Sequence, residues 1–126
     1  MAIRSYRDLL VWQKAFALAQ ECHAIASAMP PRSMAGLANQ LERAAISIPA
    51  NIAEGNGRNH RSEYLHHLSI ANGSLAEVES HLRLLEAVWG VDRQRLSAAI
   101  SHCREVGRML GGLTRALRES QNRTQQ

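Results

Sequence analysis

The feature that most narrows the fold of this chain is a run of apolar residues between Tyr64 and Trp89. Tyr64, Leu68, Ala71, Leu75, Val78, Leu82, Leu85 and Trp89 alternate at spacings of four and three, and Gly90 ends the run. A seven-residue repeat kept this long makes helices wind around one another with a left-handed supercoil, so the segment is the seam of a bundle or coiled coil. Its partners must be helices. Ser62 is its expected N-cap.

Three other segments share that period. In the first, Asp8 is the expected N-cap and Val11, Ala15, Leu18, Cys22, Ile25 and Met29 form the stripe, which Pro30-Pro31 stops; Trp12 and Phe16 widen it. The second opens at Ser33, buries Leu37, Leu41, Ala44, Ala45, Ile48 and Ile52, and closes at Gly55-Asn56-Gly57. The fourth begins after Asp92 and carries Leu96, Ile100, Cys103, Gly107, Leu110, Thr114 and Leu117, with Ala99, Val106 and Leu113 beside them. Gly107, Gly111 and Gly112 inside it each cost about 1 kcal/mol relative to alanine, and mark either close approach of a neighbour or local fraying.

Four helices of similar length joined by short turns pack most simply as an antiparallel up-down-up-down bundle. A chain of 126 residues holds one domain around one core. The expectation is therefore an all-α single domain over residues 1–126, with its core from about residue 6 to 118 and a flexible tail over 119–126. Neither a signal peptide nor a membrane-spanning apolar run is present, so no membrane role and a cytoplasmic location are expected.

The second segment has two peculiarities. Pro49 lacks an N–H and presses on the carbonyl of Ala45, at a cost of about 3 kcal/mol in an ordinary helix, so a kink is expected there. Arg43, Ser47, Asn51 and Glu54 follow at intervals of four, four and three, lining one polar strip. Such a strip is either a solvated face or a network between helices, with Asn51 or Ser47 serving the backbone that Pro49 frees. On the third helix, Ser74 and Glu77, with His81, are the candidates to meet it.

The bundle topology also sorts charge. The start of helix 1, the turn between helices 2 and 3 and the end of helix 4 fall together, which gathers Arg4, Arg7, Arg58, His60, Arg61, Arg115, Arg118 and Arg123 against Asp8, Glu54, Glu63 and Glu119. One pole is expected to be basic. The formal net charge is +4, and 14 of the 15 lysines and arginines are arginine, whose planar fork suits phosphate. Arg4, Arg7, Arg58, Arg61, Arg115 and Arg118 are accordingly the candidate nucleic-acid contacts, against the alternative of a merely solvated pole.

Catalytic and metal signals are weak. Cys22-His23 and His102-Cys103 fall near one level of the bundle, but both cysteines lie on apolar seams and no CxxC spacing supports a ligand set, so no metal is expected. A di-metal carboxylate bundle needs Glu-x-x-His on two helices, and Glu63-x-x-His66 alone fits; Glu54, Glu77 and Glu79 do not complete it. There is no nucleophile elbow, phosphate-binding glycine loop or HExxH, so neither cofactor nor enzymatic activity is expected.

Several stretches carry a family resemblance. They are Asp8-Leu9, Val11-Trp12-Gln13-Lys14-Ala15, Gly36-Leu37 with Gln40, Arg43 through Gly55 with Arg58, and Tyr64, Leu68, Ile70-Ala71, Gly73-Ser74-Leu75, Glu77 and Glu79. The chain resembles the bacterial four-helix-bundle family that includes proteins encoded within 23S ribosomal RNA intervening sequences and the accessory variability determinant of diversity-generating retroelements. The resemblance covers roughly Tyr6 to Leu117. It implies a four-helix protomer, a homopentamer with a central pore, no established enzymatic activity and, for the retroelement member, binding of RNA and of a reverse transcriptase through basic surface. Ser47, Pro49, Asn51 and Glu54 match the family motif. With one lysine, the chain departs from that member's strongly basic character.

Self-association has a physical argument too. Trp12, Phe16 and Ala19 on helix 1, and Ala99, Val106 and Leu113 on helix 4, form second apolar stripes; these are deeply buried or, if exposed, mark an interface. Two functional readings follow: a non-enzymatic oligomeric RNA-binding accessory protein, or a protein-interaction scaffold with no nucleic-acid role.

Overall fold

The computed structural model describes residues 4–125, and the side chains of all of these except 121 and 123–125. A 3-10 turn, η1 (Tyr6–Asp8), leads into four helices: α1 (Leu10–Ala28), α2 (Ala35–Asn56), α3 (Arg61–Val88) and α4 (Arg93–Gln125). No strand occurs among the described residues. Each helix touches the two beside it in a closed square, α1 to α2 to α3 to α4 and back to α1, and α2 with α3 forms the most extensive interface.

Paired side chains fix the directions. Across α2 and α3, Asn56 meets Tyr64, Asn51 meets His67 and Ser47 meets Ser74, so one number falls as the other rises. Lys14 with Glu105 and Glu21 with His102 run the same way across α1 and α4. These are the pairings of antiparallel neighbours.

The core follows the heptad stripes. Leu18, Ile25, Leu41, Ile48, Ile52, Leu68, Val78, Leu82, Leu85, Leu96, Val106 and Leu110 are its largest fully buried side chains. Among the described residues no polar or charged residue is buried. Removing one of the leucines to alanine would cost about 2–5 kcal/mol, so this stripe supplies the bundle's cohesion.

Element ends depart from the sequence expectation in informative ways. Asp8 caps the turn, not α1: Ser5 Oγ accepts the Arg7 N–H at 3.1 Å and Asp8 Oδ2 accepts the Arg4 and Ser5 N–H groups at 2.8 and 3.3 Å, a reciprocal capping box. Helices α1, α2 and α3 begin after Leu9, Met34 and His60, none with a side-chain cap bond, so Ser33 and Ser62 do not cap. Tertiary packing substitutes for capping there. Gly90, at φ +68°, and Asp92, at φ +54°, turn the chain between α3 and α4 in the left-handed region, as a helix stop requires. Helix α4 continues to Gln125, through most of the stretch expected to be a tail.

Candidate functional site

Two regions carry polar side chains in an organised way. The first is the seam between α2 and α3. Ser74 Oγ donates to Ser47 Oγ at 2.8 Å, and Asn51 Nδ2 donates to the Ser47 carbonyl at 2.9 Å and to Ser47 Oγ at 3.0 Å. His67 Nδ1 lies 3.0 Å from Asn51 Oδ1. A carbonyl oxygen only accepts, so this nitrogen carries the proton and donates. Glu54 Oε2 is 3.9 Å from the same nitrogen, and Arg58 Nη2 donates to Glu54 Oε1 at 2.7 Å. That bond first, and the charge on His67 second, holds the Glu54 carboxyl below its ordinary range. The half-buried members of this chain, Ser47, Asn51, His67 and Ser74, all have partners, as low-dielectric surroundings demand.

The seam closes tightly at Gly55. A Cβ there would stand 2.9 Å from His67 Cβ and 3.0 Å from Tyr64 Cδ1, so the residue that looked like a helix terminator is a packing glycine. Beside it, Asn56 Nδ2 donates to the Tyr64 hydroxyl at 3.3 Å, and burial pushes the Tyr64 phenol up. Pro49 is buried and α2 runs unbroken through it. The Asn51 amide serves the Ser47 carbonyl rather than that of Ala45.

The strip read from the sequence is therefore divided. Ser47 and Asn51 enter the seam and Glu54 stands at its exposed edge, whereas Arg43 faces solvent. On α3, Ser74 meets the strip but Glu77 does not: it is exposed and pairs with His81 of its own helix at 3.4 Å. His67 is the member that sequence reasoning missed. Its signal was a polar line at heptad spacing, His67, Ser74 and His81, beside the apolar stripe. Two hydroxyls bonded to each other, with no base on either, form a register lock rather than a nucleophile.

The second region is the end bearing the α2–α3 turn. Arg4 and Arg7 lie before and on η1, which leads into α1 and packs against α1 and α2; Arg58 and Arg61 border the α2–α3 turn, and Arg115 and Arg118 lie toward the end of α4, beside Leu65 near the start of α3. The Arg123 side chain lies outside the described residues. Arg58 is paired with Glu54. Among the described residues no carboxylate lies within ion-pair distance of the Arg4, Arg7, Arg61, Arg115 or Arg118 guanidinium groups. Asp8 at this end accepts backbone N–H groups. Exposed Arg32, Arg93 and Arg95 occupy the far end, so cations are not confined to one pole.

At the arginine-bearing end α3 and α4 part into a groove of about 320 Å³. Leu65, Leu68 and Leu110 form its apolar part, Ser69, Asn72 and Thr114 its polar part, and Gly111, Arg115 and Arg118 its α4 wall. Of the glycines in α4, Gly107 marks a close approach, since its Cβ would touch Leu75 Cδ2 at 3.4 Å; Gly111 and Gly112 do not.

The remaining candidates separate. His23 pairs with Glu42 of α2 at 2.6 Å, while His102 pairs with Glu21 of α1. Cys22 and Cys103 are free thiols in the core, and burial pushes both up to about 12. Such thiols are inert at neutral pH. Among the described residues no three His, Cys, Asp or Glu side chains are placed to hold a metal ion, and no helix is long and apolar enough to cross a membrane.

Comparison with known proteins identifies both a family and a fold. A model of the 23S rRNA-intervening sequence protein family matches residues 7–112. A crystal structure at 1.70 Å of a protein of unknown function from the S23 ribosomal protein family of Bacteroides thetaiotaomicron VPI-5482 superposes with a TM-score of 0.77 at 21% identity, over 83% of this chain and 98% of that one. At that identity the likeness is one of fold. None of the curated proteins matches the chain.

Proposed function

Because the chain belongs to the 23S rRNA-intervening sequence protein family, we propose that it is a non-enzymatic, oligomeric RNA-binding accessory protein of the cytoplasm, holding RNA at the end where α2 turns into α3. The observation that carries this reading is the set of arginines at that end, Arg4, Arg7, Arg61, Arg115 and Arg118, with no carboxylate against them. Free guanidinium forks bind phosphate bidentately and release counterions from a polyanion. Copies of the chain assemble with one another, as five around a central pore in the arrangement the resemblance implies. Support for assembly comes from apolar side chains left in solvent, Phe16 at 45%, Ile46 at 61% and Val88 at 61% exposed. A ring repeats the arginine-bearing end around its axis and multiplies the field.

The test is retention of single-stranded RNA by the full-length protein and by a variant carrying Arg4→Glu, Arg7→Glu and Arg61→Glu. The variant is expected to keep its helical circular dichroism and to lose at least tenfold in affinity; equal retention would remove the proposal. The same exposed apolar side chains favour a second reading, a scaffold for another protein, a reverse transcriptase among the partners the resemblance offers. Partners that survive nuclease treatment in a pull-down would select it.

A further inference from the structure

We propose that the groove between α3 and α4 seats one nucleotide unit of a single-stranded nucleic acid, its phosphate on Arg115 and Arg118 and its base against Leu65 and Asn72. The inference rests on the RNA reading above and locates where a base is held. Arg115 and Arg118 stand three residues apart on one side of α4, close enough for both forks to reach one phosphate. Neither has a carboxylate within ion-pair distance among the described residues. The groove's volume of about 320 Å³ is that of a small-molecule site between bundle helices.

Its lining divides by chemistry in the way a nucleotide does. Half-buried Leu65 offers apolar surface to a base face above the closed floor of Leu68 and Leu110, and the Asn72 amide presents two donors and one acceptor to a base edge, while the Ser69 and Thr114 hydroxyls suit a ribose. A base can enter only when it is out of its stack, which selects single strands over A-form duplex. Gly111 keeps the α4 wall open, since a Cβ there would meet nothing nearer than Arg115 Nη1 at 3.7 Å. A larger residue at 111 would enter the groove from a position whose Cβ touches no neighbouring helix.

The experiment is a titration of the full-length protein with 5′-AMP, adenosine and inorganic phosphate, followed at the backbone amides by NMR, with Gly111→Leu and Asn72→Leu in parallel. Saturable shifts with 5′-AMP centred on Ser69, Asn72, Gly111 and Thr114 are expected, with adenosine or phosphate alone at least tenfold weaker. Both variants should lose tenfold or more while keeping the wild-type circular dichroism. Absence of localised shifts, shifts unchanged in both variants, or phosphate binding as tightly as 5′-AMP would overturn the proposal. RNA retained by the wild type with the groove amides unmoved overturns the groove alone and leaves the RNA reading standing. Binding of 5′-AMP without any RNA retention sinks the RNA reading and, with it, the polymer proposed here.

Discussion

The seam between α2 and α3 and the seam between α3 and α4 are built from the same helix and do opposite things. On one side of α3, Gly55 brings backbones together and Ser47, Asn51, His67 and Ser74 hydrogen-bond across the gap. On the other, near the arginine-bearing end, the helices part, and Arg115 and Arg118 line the opening without acidic partners. The contrast teaches how to read polar residues in a bundle. Those that satisfy one another specify register, and those left with unused hydrogen-bonding capacity are the ones available to a ligand.

The comparison can be broken at its tight side first. Gly55→Leu forces a side chain against His67 Cβ and the Tyr64 backbone, neither of which can swing away, and should cost about 2–3 kcal/mol in urea unfolding. A neutral result would mean the seam is not closely packed. Ser47→Ala strips an acceptor from both Ser74 and Asn51, with an expected loss of about 1–2 kcal/mol by the same measurement. At the open side the sign reverses: Gly111→Ala should stabilise by about 0.5–1 kcal/mol, because it removes glycine's entropy cost and meets only ordinary contact. A loss there would make the two seams alike.

The smallest effect is electrostatic and sits at the exposed edge of the tight seam. Glu54 has its carboxyl held below the ordinary 4.5 by Arg58 and then His67. A depressed carboxyl contributes stability that is present above its unfolded value and lost as pH falls through its folded one. Thermal melts in weak acid should therefore fall slightly less steeply with decreasing pH in Glu54→Gln than in the wild type. Because the group is fully exposed, salt should erase the difference.

The sequence was most informative where one physical pattern decided the answer. Heptad stripes placed Leu18, Ile48, Leu82 and Leu110 in a single core, because apolar burial at helical period leaves few other solutions. Local start signals were less reliable. Ser33 and Ser62 are good cap residues that do not cap, and Asp8 serves a turn, since packing outweighs an N-cap's contribution of about 1 kcal/mol. Glycines were ambiguous for a related reason. Gly55, read as a terminator, is a contact, and Gly111, read as contact or fraying, opens a groove, because only the neighbouring helix determines what an absent side chain does. In the polar strip, Ser47 and Asn51 read as candidates for a network between helices and do cross to α3, whereas His67 escaped notice because its partner lies sixteen residues away on another helix.

The most direct test of the account is the salt dependence of single-stranded RNA binding, followed by fluorescence anisotropy between 50 and 200 mM salt, roughly the range over which counterion release is steep. The wild type should show a linear fall of log affinity with log salt, and Arg61→Glu with Arg118→Glu should flatten that slope by about one for each arginine removed. Superimposable lines for the two proteins, or no binding at the lowest salt, would contradict the assignment of RNA to this end of the bundle.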